Sequence, residues 1–344
     1  MTQAGATAVL AAQAFAGMVD GRPVGLYGLR NRHGVQAAVC NWGARLLQWR
    51  LPGRGGDLVL GVQSLEALRC APASLGAFIA PYAGRIAQAR FALHGQIYRL
   101  TANDGAHCLH GGVHGSRHQV FVVQSHSAQE LVLALHLPTA DTGFPGALDV
   151  QLAYRLEDSG ALTLSYAVQC TGAPTPVSCT PHPFFHLDQG GAPTIDGHWV
   201  QVLADETLAR DAQGVAHGAR CAVAGTALDL RAPRLLARVG AVDDAFVLRN
   251  PPAAAMRLCA RLGCEATARV LEVWSTEPVL QLYSADPLGA PFFPRAGVCL
   301  EPQAYPNAPN VDTFPLALAA PGRPVRGQTR YVVVAQTGST GVLQ

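Results

Sequence analysis

An all-β fold, a large antiparallel sandwich, is what this sequence predicts, and three observations carry the prediction. Leu148, Val150, Leu152, Tyr154 and Leu156 alternate with Asp149, Gln151, Ala153, Arg155 and Glu157, which is the period of a half-buried strand. Short apolar runs of the same kind recur along the chain, separated by Gly, Pro, Asp and Asn. Helical periodicity is almost absent, so the crossover helices that a parallel sheet requires are missing.

In chain order the predicted strands begin with Asp57 to Val62, Gln119 to Gln124 and Leu131 to Leu137, each a compact apolar run between polar or turn-forming residues. Leu148 to Glu157 follows, and Asp158-Ser159-Gly160 then supplies a turn. Alternation resumes with Leu162, Leu164, Tyr166, Val168 and Cys170 against Thr163, Ser165, Ala167 and Gln169, so the two segments read as a β-hairpin. Arg269 to Ser275, Val279 to Ser284 and Arg330 to Ala335 complete the series. No linker, low-complexity tract or repeat divides the chain, and a single domain over residues 1–344 is expected.

Composition bounds the chemistry. Of 344 residues 49% are hydrophobic and 14% charged, with 36 Gly and 24 Pro, against a usual charged share of roughly 25%. This is a soluble, turn-rich globular composition, and a chain of this size has no difficulty building a core. All 25 basic residues are Arg, and Lys is absent. That excludes a lysine Schiff base, a pyridoxal phosphate linkage and a P-loop or kinase phosphate-binding lysine. The net charge of +2 comes from scattered Arg with no basic run, so nucleic acid is not an expected partner. No apolar run approaches the ~20 residues that span a bilayer. The Ala-rich segment from Thr7 to Met18 has nothing basic before it, so it reads as mature sequence and the chain as cytoplasmic. Nine Cys, an odd number without a C-x-x-C pair, read as reduced and mostly buried thiols.

Three groups of residues are candidates for chemistry. His107, His110, His114 and His118 fall within twelve residues, yet Gly111, Gly112 and Gly115 break the helix that would align them on a metal. His182 and His186 are spaced like a zincin pair, but the zincin Glu is missing and Pro183 blocks the helix. Glu301 ends the apolar run Val298-Cys299-Leu300, which places a carboxylate on or beside a buried strand. It reads either as an ion-pair partner of an Arg or as a general base tuned by burial and a His. Arg85 in PYAGRI and Asp243 before Asp244-Ala245-Phe246-Val247 leave the same two readings open.

Taken in order, these segments resemble the aldose 1-epimerase (galactose mutarotase) family from about Asp20 to Tyr331. NWGARLLQWRLP and DLVLGVQSLE are similar to its first strands. GRIAQARFALHGQIYRL followed by LHGG resembles its substrate-arginine segment and first histidine motif, and GFPGALDVQLAYRL its hairpin entry. TPHPFFHL resembles the second histidine motif, VDDAFVL the aspartate motif, EPVLQLYS the glutamine strand and GVCLEPQAYPNAPN the catalytic glutamate segment.

The resemblance implies a β-sandwich of the galactose-mutarotase type that interconverts the α and β anomers of a free hexose, with no cofactor and no metal. By the same matching Glu301 takes the proton from the C1 hydroxyl while His182, as an imidazolium, protonates the ring oxygen. His110, Arg85, Asp243 and Gln281 hold sugar hydroxyls. The implied partner is a small-molecule sugar, with the chain a monomer or homodimer. Five positions depart from the family's usual residues: Gly84 and His107 where Asn is common, Phe184 for Tyr, His186 for Asn and Asn307 for Asp. They bear on which sugar hydroxyls are satisfied. A hexose-6-phosphate 1-epimerase is the nearest competing enzyme and would need an Arg pair at the pocket rim, with Arg90 and Arg117 as candidates. A non-catalytic sugar-binding protein of the same fold would keep the pocket without the turnover, and the His cluster taken alone would suit a zinc hydrolase.

Overall fold

The computed structural model describes residues 9–53, 56–72, 74–249 and 255–335. Its largest sheet has nine strands, in the order Val122–His126, Glu130–Leu137, Gly146–Leu156, Leu162–Gly172, Val325–Ala335, Arg269–Ser275, Arg257–Cys264, His198–Val202 and Arg234–Leu235. A second sheet has five, in the order Ala216–Ala222, Ala204–Arg210, Asp243–Leu248, Val279–Tyr283 and Cys299–Gln303. A third joins Leu26–Arg30, Gln36–Cys40 and Arg45–Arg50. Neighbouring strands in all three run antiparallel.

The alternating hairpin behaves as its sequence demands. Leu148, Val150, Leu152, Tyr154 and Leu156 are buried while Asp149, Gln151 and Arg155 are exposed, and Leu152 sits opposite Tyr166. Gly160 closes the turn at φ +87°, a conformation that carries no Cβ penalty in glycine. The buried face contributes to a core that also takes Val39 and Trp49 from the three-stranded sheet and Phe246, Leu280, Leu282 and Leu300 from the five-stranded one. Opposed sheets burying one face each against a shared core make a sandwich.

Two predicted strands differ from the structure. Asp57 to Val62 forms no ladder, because its backbone bonds go to different partners: Leu58 N donates to Trp49 O, whereas Leu60 N donates to Phe184 O and Leu58 O accepts from His186. The run from Gln119 becomes a strand only at Val122, since Gln119 and Phe121 bond instead to Gly43 and Asn41. The scarcity of helix holds among the described residues: the longest there, Leu65–Cys70, spans six residues, and Ser64 Oγ caps it by accepting from Ala67 N. In the Ala-rich segment, whose first two residues lie outside the described ones, Ala12–Phe15 forms a single 3-10 turn that buries Phe15. No helix among the described residues is long and apolar enough to cross a membrane. The nine cysteines are free, all buried except Cys70 and Cys221.

Candidate active site

The five-stranded sheet presents two unlike faces. Gln281 lies opposite Glu301 and Ala245 opposite Gln281, while Tyr283 pairs with Asp243 on one side and Cys299 on the other. Because side chains alternate along a strand, Asp243, Gln281, Tyr283, Cys299 and Glu301 share a face. Phe246, Leu280, Leu282 and Leu300 point the other way, into the core. The polar face lines a cleft of about 390 Å³, within the roughly 300–1,000 Å³ usual for small-molecule sites. All six predicted site residues, Glu301, His182, Arg85, His110, Asp243 and Gln281, line it.

Two loops bring the imidazoles to this face. His182 follows the short strand Thr180–Pro181, which pairs with Phe78–Ile79, and its backbone is locked by His182 N to Ala77 O at 2.8 Å and Gly76 N to His182 O at 3.1 Å. His110 follows Cys108–Leu109, which pairs with Arg85–Ile86, and it turns at φ +56°. Its Nδ1 accepts from Gly84 N at 3.3 Å, which leaves a neutral His110 with its proton on Nε2. The two rings meet edge to face, 5.5 Å between centroids.

At the floor of the cleft His182 Nε2 faces Glu301 Oε1 at 3.6 Å. That is too long for a hydrogen bond, and no hydrogen bond holds the Glu301 carboxylate among the described residues. His182 is 5% exposed and Glu301 2%. Burial, reinforced by the neighbouring charge of Asp243, raises the Glu301 carboxyl well above its usual range. Burial lowers the His182 imidazolium to about 3, with Arg117 and Arg45 adding to the effect. The cleft thus favours the neutral form of His182 over the imidazolium, since an apolar enclosure disfavours charge. Burial likewise keeps the Cys299 thiol protonated, with its Sγ 3.4 Å from His182 Nδ1. With the thiol as the donor to Nδ1, the tautomer of His182 that completes the contact carries its proton on Nε2, facing Glu301.

The remaining polar groups are pre-positioned. Gln281 Nε2 donates to Asp243 Oδ1 at 2.7 Å. Arg85 Nε pairs with Asp104 Oδ2 at 2.6 Å, and its Nη1 stands 3.9 Å from Asp243 Oδ2. Gly214 makes room for that guanidinium: it sits at φ +79°, and a Cβ there would lie 2.8 Å from Arg85 Nη1. Burial and the surrounding cations lower His110 well below the ordinary imidazole range, so it enters as a neutral Nε2–H donor.

Of the five departures, two reach the cleft. Gly84 and Phe184 line it, with the Phe184 ring 5.1 Å from His182. The other three are tied up elsewhere. His107 Nδ1 accepts from Gln88 N at 3.2 Å and its Nε2 donates to Gln213 Oε1 at 2.6 Å. His186 bridges Asp188 N and Thr194 O and packs edge to face on His198. Asn307 straps Ala87 N, through Oδ1, to Ala216 O, through Nδ2. The four-histidine run is dispersed as well, since only His110 lines the cleft. A grouping that the spacing did not suggest is His110, His182 and Glu301, whose ligand atoms lie within 4.8 Å of one another and could hold a cation.

Ser74, Tyr283 and Cys299 complete the site, although the sequence alone does not single them out. Tyr283 and Cys299 carry a signal, because each is two residues from a predicted site residue on a strand and so shares its face. Ser74 sits on a loop, where no period reports direction. The two arginines considered for a phosphate clamp part company. Arg117 lines the cleft, whereas Arg90 lies exposed on Arg90–Leu93 and does not.

Residues 25–332 match the aldose 1-epimerase family. The chain is 32% identical to an aldose 1-epimerase of Escherichia coli (strain K12) over 339 residues, covering 92% of this chain and 97% of the relative. It is 34% identical to a galactose mutarotase of Bos taurus over 305 residues, covering 84% and 88%. Among solved structures, an aldose epimerase homologue from C. elegans superimposes with a TM-score of 0.86 at 25% identity, covering 91% of this chain and 100% of that one. A galactose 1-epimerase from Lactobacillus acidophilus gives 0.81 at 22% identity, covering 93% and 97%.

Proposed function

This chain belongs to the aldose 1-epimerase family, and on that premise we propose that it interconverts the anomers of free hexoses such as galactose or glucose through Glu301 and His182, within a single domain. The observation that carries the assignment of these two residues is their placement, a buried carboxylate and a buried imidazole 3.6 Å apart on the floor of a sugar-sized cleft.

The pair works with one proton between its two members. In the reactive arrangement Glu301 is ionised and His182 protonated. Burial makes that arrangement the minor one and makes each member more reactive in it, the carboxylate a stronger base and the imidazolium a stronger acid than in water. Glu301 takes the proton from the C1 hydroxyl as His182 gives one to the ring oxygen. The bond between C1 and the ring oxygen breaks, leaving an aldehyde at C1 and a hydroxyl at C5. Rotation about C1–C2 presents the other carbonyl face, and reclosure returns both protons. His110, Arg85, Asp243 and Gln281 hold the sugar hydroxyls while the chain is open, which keeps the aldehyde within reach of the C5 oxygen.

Polarimetry of freshly dissolved α-D-galactose and α-D-glucose tests the reading. Wild type accelerates the relaxation of rotation, and Glu301→Gln or His182→Asn slows turnover by about 10²- to 10⁴-fold, the usual share of a general acid or base. Retained turnover in either variant would remove that residue from its role, and retained sugar affinity in both distinguishes lost chemistry from lost binding.

A further inference from the structure

We propose that the preferred substrate of this cleft is an aldohexuronate, a hexose whose exocyclic C6 is a carboxylate, and that Arg117 is the residue that selects it. The inference rests on the epimerase reading above.

Three arginines line the cleft, and two are neutralised by protein. Arg85 pairs with Asp104 and approaches Asp243, and Arg210 pairs with Asp244 at 2.9 Å. Arg117 is different. It is 7% exposed, and its guanidinium donates from Nη1 to Ser74 Oγ at 2.9 Å and from Nε to His118 Nε2 at 3.0 Å, both neutral acceptors. Among the described residues no carboxylate stands within ion-pair distance of it, and its Nη2 has no hydrogen-bond partner. A second guanidinium, that of Arg45, lies behind it and donates to the Arg117 and Leu75 carbonyls. Asp104 acts on Arg117 only from beyond contact and is itself paired with Arg85, and a charge held this deep with no carboxylate in contact is costly unless a ligand supplies one.

The position of Arg117 selects the part of the sugar it meets. Ser74, which holds its Nη1, begins the segment that pairs with His182 through Gly76 and Ala77. The preceding residue, Ser116, is pinned to the same region by Oγ bonds with Ala80 N and Phe78 O. Arg117 therefore stands on the His182 side of the cleft, whereas Glu301 projects from the five-stranded sheet. In a pyranose the ring oxygen lies between C1 and C5. With His182 at the ring oxygen and Glu301 at the C1 hydroxyl, C5 and its exocyclic C6 fall on the side away from Glu301, towards Arg117 and Ser74. The lone Nη2 and a serine hydroxyl suit a carboxylate. A phosphate, with three oxygens to satisfy, would call on a second free cation, and Arg85 and Arg210 are already engaged.

Exchange NMR at pH 7 on wild type with D-galacturonate, D-glucuronate, D-galactose and D-galactose 6-phosphate tests the proposal. The expected result is a kcat/KM for the better uronate above that for galactose. Arg117→Gln then lowers the uronate-to-galactose ratio of kcat/KM by about 10- to 100-fold, the worth of a hydrogen bond to a charged group. Galactose preferred by wild type, a uronate-to-galactose ratio unmoved in Arg117→Gln, or the phosphate preferred over both uronates would each overturn it. If Arg117→Gln does not fold, Ser74→Ala, which frees the guanidinium from its anchor, replaces it and must lower the same ratio. If wild type turns over no sugar, the epimerase reading fails by itself. Calorimetric binding of galacturonate against galactose then decides the role of Arg117 by the same ratio.

Discussion

Cys299 Sγ lies 3.4 Å from His182 Nδ1, on the opposite side of the imidazole from Glu301. Cys299 is two residues before Glu301 on one strand, so a single element carries the proposed base and the thiol that contacts the proposed acid. A buried thiol is a weak donor, yet it is the only contact of Nδ1 with a side chain among the described residues. Cys299→Ala is expected to lower kcat by about 2- to 10-fold, the net worth of one hydrogen bond, with KM little changed, and Cys299→Ser to stay nearer wild type. Steady-state rates from exchange NMR check this, and equal kcat in Cys299→Ala and wild type would show that His182 needs no such partner.

The pH profile follows from the one-proton pair. Its upper limb is the loss of that proton as pH rises through the raised Glu301 value, and its lower limb is the gain of a second as pH falls through the depressed His182 value. The charge of Asp243 is part of what raises Glu301. Asp243→Asn therefore moves the upper limb of kcat/KM to lower pH, whatever it does to the height of the curve. Rates between pH 5 and 9 locate that limb, and an unmoved limb in the variant would mean that another group sets it.

Gly214 is predicted to matter through Arg85. Alanine at φ +79° costs about 1–2 kcal/mol of backbone strain, and its Cβ displaces the Arg85 guanidinium from 2.8 Å away. Gly214→Ala should raise KM several-fold with a smaller effect on kcat, and should lower stability modestly in urea. A variant that loses stability but keeps its KM would place Arg85 outside the binding set.

A second buried carboxyl titrates away from the cleft. Tyr166 Oη donates to Glu277 Oε1 at 2.5 Å, and burial raises Glu277 to about 7. A folded value above the unfolded one means that stability is full below the usual glutamate range and falls as pH rises through 7, by about 3 kcal/mol at most. Glu277→Gln keeps an acceptor for Tyr166 and cannot ionise. It should match wild type near pH 4.5 and exceed its stability at pH 8.5. Parallel denaturation midpoints for the two proteins across that range would refute the assignment.

How much of the fold and the site is legible in the sequence depends on where each residue sits. Strands with one wet face declare themselves by period, as Leu148 to Leu156 does, and so do the neighbours of Gln281 and Glu301. Asp57 to Val62 has strand composition but divides its bonds between Trp49 and Phe184, and only the tertiary structure reveals that. His107 and His186 read as ligand candidates because residue type says nothing about direction. Their rings are occupied by Gln213, Thr194 and backbone amides. Arg117 poses the converse difficulty. The sequence offers it, with Arg90, only as a candidate phosphate clamp, and its proposed role rests on the contacting carboxylate it lacks, which only the structure reveals.

The strands 243–248, 279–283 and 299–303 are written in two interleaved scripts. Asp243, Gln281, Tyr283, Cys299 and Glu301 occupy odd positions, and Phe246, Leu280, Leu282 and Leu300 even ones. Substrate preference can therefore drift over generations on the odd letters while the even ones keep the sandwich closed. The same arrangement forbids a one-residue insertion or deletion within any of these strands, since it would trade a carboxylate for a leucine on both faces at once. Length variation has to fall in the loops, among them those that carry Ser74 and Arg117.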